Sequence, residues 1–387
     1  MHNNLIRDFL LSYFALLHIV CGQTFSVQNV KEISIPKKVI ERPQFSLDNN
    51  WLSLETYSDD GMEVYFVDLK ESSQAIPLRK TPNSKNPIYA HQVRWSTTRD
   101  DVCYFIGKDQ IGQFHFYEVN MSYLASNRAY LDDLCEKIFG RHNVDISTYA
   151  VNRNNKFSDY FLFALPEETR RDSRIGIYTS SLQKYPESYQ GLLNHFTINS
   201  LNQLACVKSS DNDKNPKIVL FEDDLDQKTE VMANKSVTRV AEIEPKFSIY
   251  SPGDYLTFLA TEDDDSESRD WYLWAIKDPF NPNSNPRKID GPIVIRGEDI
   301  SLSDLNYAWY PDRDFLFYIL ESKDGSNPVY YYNINSGHRQ KLVTNTERNM
   351  YINFSRRGNK MVFGAQGKSK ELDFYIRKAY VGDLVVQ

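Results

Sequence analysis

An aromatic residue, a short polar turn, an apolar strand and then an aromatic-rich strand recur seven times along this 387-residue chain. The clearest copies are Phe45-Ser46-Leu47-Asp48-Asn49-Asn50-Trp51-Leu52, Trp309-Tyr310-Pro311-Asp312-Arg313-Asp314-Phe315-Leu316 and Phe354-Ser355-Arg356-Arg357-Gly358-Asn359-Lys360-Met361. A fourth, Phe247-Ser248, reaches Pro252-Gly253-Asp254-Tyr255-Leu256 after a short insertion. Each reads as strand, tight Asp/Asn/Gly/Pro turn and return strand, the sequence form of a β-hairpin. A repeat of roughly 45 to 60 residues built of small sheets cannot bury its faces alone and must stack on its neighbours, which is the logic of a β-propeller blade. With 25 Tyr and 22 Phe among its residues, the chain is supplied for strands rather than helices.

Aligned on one another, the innermost strands centre on Phe45, Trp95, Tyr149 with Val151, Phe196, Phe247, Trp309 and Phe354. Third strands follow at 64–67, 114–117, 175–178, 218–221, 271–274, 329–332 and 374–376, nearly all apolar, as expected of strands covered on both faces. Fourth strands are expected at Ile76 to Arg79, Val231 with Met232, Lys288 with Ile289, and Lys341 to Val343. The last copy runs out after its third strand near Ala379, and Glu32-Ile33-Ser34-Ile35-Pro36 is the segment that would complete it. Closure by the two ends of the chain removes exposed sheet edges. The reading is all-β, a seven-bladed propeller closed by an N-terminal strand, with six blades as the alternative if a degenerate copy drops out. Between blades two and three, Leu131, Leu134, Cys135, Ile138 and Phe139 follow a helical stripe ended by Gly140, which predicts a short helical insertion packed on the rim or docking a partner.

Residues 1–22 read as a signal peptide: Arg7 precedes an apolar run from Phe9 to Cys21, and Val20 and Gly22 occupy the small-residue positions before Gln23. Lipidation at Cys21 is disfavoured because His18, Ile19 and Val20 supply no small residue for such a site. The remainder, 23–387, forms one propeller domain in an exported, periplasmic or cell-envelope protein. Cys103, Cys135 and Cys206 then remain, an odd number without regular spacing, so no disulfide framework is expected, and Cys103 and Cys206 fit buried small hydrophobes. A formal net charge of −7 excludes a surface built mainly for nucleic acid or anionic lipid, leaving membrane association to partners.

These repeats resemble the TolB-type propeller family, whose blades carry an aromatic-Ser-Pro-Asp-Gly turn followed by a strand and an Ile-Tyr strand. Ser251, Pro252, Gly253 and Asp254 keep the letters in altered order, and Pro311 with Asp312 lacks the Gly. The resemblance spans Gln23 to about Ala379. It implies an envelope protein acting as an interaction platform.

Catalytic motifs are missing from the sequence: no G-x-S-x-G, H-E-x-x-H, P-loop or C-x-x-C occurs. Some propeller lyases that resemble this repeat class hold an axial metal through histidines, and here His91 precedes Trp95 as His195 precedes Phe196. Both are metal-ligand candidates at one end of the ring, and His142 joins them only if the helical insertion folds inward. Two imidazoles do not complete a site, so no cofactor is called for. The acidic run Glu262 to Asp265 reads as a solvated loop rather than a calcium site. The sequence thus favours a protein- or peptide-binding platform over an enzyme. A metal-dependent polyuronate lyase and a structural module of an envelope complex are the alternatives.

Overall fold

The computed structural model describes residues 23–387 apart from 36–39, 59–60, 71–74, 80–87, 110–111, 127–130, 141–143, 147, 156–157, 167–171, 179–182, 185–187, 191, 210–215, 223–227, 231–241, 252–253, 262–269, 294–305, 345, 347 and 369–374. Residues 1–22, read above as a signal peptide, together with His142, the run Glu262 to Asp265 and the fourth-strand pair Val231 and Met232, lie outside the described residues.

All strand pairing among the described residues is antiparallel, arranged in six sheets. One sheet has eight strands but divides into two halves joined by the single pair Glu63 and Tyr89, so the pairing resolves into seven successive units. Their innermost strands, 40–45, 89–95, 148–155, 192–198, 242–247, 307–309 and 349–354, each contact the next, and the last contacts the first. The ring is closed. Among the described residues the strand pairing thus follows the seven repeats of the sequence.

The repeated sequence explains the repeated hairpin. The Ser or Asn after the inner-strand aromatic faces the start of the return strand and ties the turn: Ser46 Oγ accepts the Trp51 N–H at 3.0 Å, Ser248 Oγ that of Tyr255 at 3.2 Å and Ser355 Oγ that of Lys360 at 3.0 Å. In the degenerate fourth copy Asn199 does the same through Oδ1, accepting the Gln203 N–H at 3.0 Å. The aromatic itself turns between blades. Seven apolar clusters result, one at each junction; that between blades one and two holds Phe66, Val93, Trp95, Cys103 and Phe105. The second strands lie between two such clusters, so segments such as Val102 to Ile106 are buried throughout. Cys103 and Cys206 are fully buried there, and desolvation raises both thiols well above their usual pKa.

Three expectations shift in detail. The closing strand is Phe25–Ile33 rather than Glu32 to Pro36, and it pairs with Tyr375–Val386, which carries the last blade's third strand well past Ala379. Phe25 is why the pairing begins so early: its ring meets Tyr310, Phe315, Phe317 and Tyr331 edge-on at 4.9–5.2 Å, gluing the N-terminal strand to blade six as well as blade seven. The outermost strands sit at Ala75–Pro77, Arg287–Asp290 and Arg339–Lys341, so the first and last of these precede their expected positions while the second contains Lys288 and Ile289. Finally, the helical stripe is half strand. Leu131–Asp133 is the outermost strand of blade two, and only Cys135–Phe139 is helical, ended by Gly140 at φ 63°. Leu134, Cys135, Ile138 and Phe139 pack against Phe116, Tyr149 and Phe163, which places this element over the junction of blades two and three.

Candidate functional site: a cationic axial cavity

In blades one, two, four and five the innermost strand carries one residue more than its partner strand at the same place. The register shifts between Glu41 and Gln44, His91 and Arg94, Asn194 and Thr197, and Ile243 and Lys246. The extra residues are Arg42, Gln92, His195 and Glu244, held in the left-handed region at φ 41°, 56°, 53° and 53°. For a non-glycine residue this conformation costs on the order of 1 kcal/mol, tolerated because the ladder on either side fixes it. Such bulges re-aim side chains. Here three of the four, Arg42, His195 and Glu244, line a cavity along the ring axis.

The cavity has a volume of about 540 Å³. Arg42, Gln44, Arg94, Lys246 and Asn353 supply its polar wall together with His195 and Glu244, Trp309 forms an apolar patch, and the hairpin-turn residues Ser200, Ile249 and Arg356 border it. Four permanent cations and one carboxylate, Glu244, thus stand on the wall, with the buried Glu55 carboxylate beside Arg42, in a chain whose overall charge is −7. Low-dielectric walls concentrate that local positive field. Beside the cavity, Leu201, Ile249 and Tyr250 in the turns of blades four and five are more than half exposed.

Hydrogen bonds between blades fix these walls. Glu55, fully buried in blade one, accepts the backbone N–H groups of Gln92 and Val93 at 3.1 and 2.9 Å and lies 3.7 Å from the Arg42 guanidinium. One carboxylate thus holds the bulge of blade two and the cation of blade one. The Trp95 indole donates to the Gln44 carbonyl at 3.1 Å and to Ser53 Oγ at 3.0 Å. Four blades on, Trp309 repeats the pattern, donating to the Lys246 carbonyl at 3.3 Å and Thr257 Oγ1 at 2.9 Å. Lys246 Nζ donates to the Tyr307 carbonyl at 2.7 Å and lies 4.0 Å from that tyrosine's ring centroid, so its ammonium is positioned at the wall. Asn353 Nδ2 closes the circle by donating to the Pro43 carbonyl at 2.9 Å.

The two histidine candidates occupy successive register positions and have different surroundings. His195 is a bulge residue on the cavity wall. His91 stands one residue before the bulge of its strand, is not among the wall residues, and packs edge-on against Phe114 at 6.2 Å. Burial, then the Arg42 charge, lowers its pKa to about 4, so at neutral pH it is an uncharged packing residue. At the axis the ligand-type groups on the wall are His195 and Glu244. Among the described residues, the group of three ligand-type side chains brought within 4.8 Å of one another is elsewhere, at His115, Asp133 and Cys135. Arg42, Arg94, Lys246 and Arg356 were not legible as a site, because no local motif joins them.

No protein-family model matches the chain, and no curated protein matches it in sequence. Solved structures do. An oligogalacturonate lyase in complex with manganese superposes with a TM-score of 0.58 at 11% identity, covering 94% of this chain and 96% of that one. An oligogalacturonate lyase from Vibrio parahaemolyticus gives 0.59 at 10% identity, covering 93% and 96%. A putative TolB from Agrobacterium tumefaciens gives 0.45 at 11% identity, covering 69% and 88%. At these identities the likeness is one of fold: the chain is an all-β propeller.

Proposed function

We propose that this protein is an exported propeller that binds an acidic peptide segment of a partner protein through its axial cavity. The observation that carries the reading is the cavity wall, where Arg42, Arg94, Lys246 and Arg356 converge on a space bordered by the exposed apolar side chains of Leu201, Ile249 and Tyr250. Cations desolvated in a cleft select carboxylates, and apolar groups at the rim favour a polypeptide, which presents both kinds of contact. A rigid ring whose turns carry the recognition residues suits that role. The TolB-type resemblance and the signal-like segment of residues 1–22 support an envelope location. Among the described residues no helix is long and apolar enough to cross a membrane.

A second reading replaces the peptide by an acidic saccharide. It is favoured by the sign of the cavity and by the substrate class in the names of the two lyases whose fold this chain shares. The donor set on the described axial wall does not favour a metal-centred version: it offers one imidazole, His195, and one carboxylate, Glu244, beside the amide oxygens of Gln44 and Asn353, and four cations share the same space.

Calorimetric titration with an acidic hydrophobic peptide and with an oligogalacturonate separates the readings. The peptide binds and Arg94→Glu with Arg356→Glu weakens it at least tenfold, about 1.4 kcal/mol, with marked salt dependence. Binding of the oligogalacturonate alone would establish the second reading. Binding of either probe unchanged by the double reversal would remove the axial cavity from consideration.

A further inference from the structure

Blade two carries a second concentration of chemistry on its outer side. His115 lies on the third strand, Phe114–Asn120, Asp133 ends the outermost strand, and Cys135 opens the short helix that follows. One ligand atom from each lies within 4.8 Å of the others. Tetrahedral zinc with bonds of about 2.0 to 2.3 Å spaces its ligand atoms roughly 3.3 to 3.8 Å apart, so side-chain adjustments of about 1 Å complete the geometry.

The surroundings orient each donor. His115 Nδ1 faces Asp133 Oδ2 at 2.7 Å, while its Nε2 faces Asp109 Oδ2 at 3.3 Å. In the metal-free protein the 2.7 Å contact needs a proton on Nδ1; when Nδ1 takes a metal, the tautomer with Nε2–H donating to Asp109 frees its lone pair, the arrangement that fixes a metal-binding imidazole. Asp133 Oδ1 accepts the Cys135 N–H at 2.9 Å, which leaves Oδ2 turned toward the cluster. Cys135 Sγ accepts the Phe116 N–H at 3.1 Å, which orients the sulfur. Cys135 is fully buried and Asp133 is exposed, so one side is packed and the other open to water.

We propose that His115, Asp133 and Cys135 form a binding site for zinc or a similar borderline-soft divalent metal, with Asp109 as the positioning residue and water as fourth ligand. Sulfur, imidazole and carboxylate together match zinc, whereas calcium and magnesium take oxygen ligands. On binding, the thiol proton leaves to solvent; the metal's two positive charges are balanced by thiolate and carboxylate. The bound ion would join the third strand, the outermost strand and the helix of blade two, at the edge where they cover blade three.

The test uses the full mature chain, stripped with a chelator, dialysed and titrated with cobalt(II) and then zinc alone. Stoichiometric cobalt with a thiolate-to-metal charge-transfer band, displaced by zinc, is expected. Cys103 and Cys206 are sealed in blade interiors, so the band reports Cys135. Cys135→Ser loses the band, Asp109→Asn weakens zinc binding about 10- to 100-fold, and His338→Ala changes nothing. If Cys135→Ser does not melt cooperatively, His115→Gln carries the same test. A cooperatively folded wild type that develops no band, or a band that persists in the folded Cys135→Ser or His115→Gln variant, overturns the site and leaves His115 as a hydrogen-bond partner of two carboxylates.

Discussion

Removing the Phe25 ring tests the closure of the ring more sharply than deleting the whole N-terminal strand. Phe25 is about one-twentieth exposed and its ring is surrounded edge-on by four aromatic rings of blade six, while its backbone N–H donates to Tyr331 Oη at 3.3 Å. Phe25→Ala keeps the backbone ladder with the C-terminal strand but empties that socket. Lost transfer free energy plus the cavity left behind amount to about 3–5 kcal/mol, a figure that already includes the edge-to-face contacts. For a chain of this length the unfolding entropy is about 0.8 kcal/mol/K, so the melting temperature should fall by roughly 4–6 °C. Differential scanning calorimetry of the purified protein measures it, with Val30→Ala as a control, since Val30 is exposed on the same strand and should shift stability by at most about 0.5 kcal/mol. Deleting residues 23–35 should go further and bring aggregation through the exposed edge of Tyr375–Val386. A Phe25→Ala protein melting within 1 °C or so of wild type would show that the socket does not hold the ring shut.

Glu55→Ala should cost about 3–5 kcal/mol in chemical denaturation, because it removes the acceptor of the Gln92 and Val93 amides and the carboxylate beside Arg42 together; a loss below about 1 kcal/mol would refute its role as the link between blades one and two. His91 gives a pH signature. Its pKa falls from 6.5 in the unfolded chain to about 4 when folded, so the unfolded state binds the extra proton and stability attributable to this site declines as pH drops from 6.5 towards 4. The difference between wild type and His91→Gln across that window should approach about 3 kcal/mol, and parallel pH profiles for the two would refute it.

The ring was legible because its determinants are local and repeated. An aromatic, a Ser or Asn that ties the turn, and an apolar return strand lie within a few residues of one another, and Ser46, Ser248 and Ser355 make the same bond in three blades. Short outer strands were less legible, since three residues such as Arg339–Lys341 carry no periodicity of their own. The stripe from Leu131 to Phe139 misled for a related reason: apolar positions needed by a three-residue strand and then by a five-residue helix happen to match one helical spacing. The axial wall was hidden more deeply. Arg42, Gln92, His195 and Glu244 share a backbone conformation and no chemistry. His91, one place away from a bulge, therefore looked equivalent to His195. The cluster at His115 was equally obscured, because its histidine sits in an aromatic strand and its cysteine among apolar residues that suggested packing alone.

The bulges also bear on how such a ring can change over time. On either side of Gln92 the innermost strand of blade two keeps a regular ladder, His91 opposite Ile106 and Arg94 opposite Tyr104, with one residue too many between them. The same surplus occurs at Arg42, His195 and Glu244. Deleting that one residue would merge the two ladders without shifting any other pair, whereas a deletion elsewhere in the strand would turn every residue beyond it to the opposite face. The axis is thus lined in part by side chains that insertion and deletion can add or withdraw singly, so a descendant ring could alter its central chemistry blade by blade while the aromatic junctions keep their places.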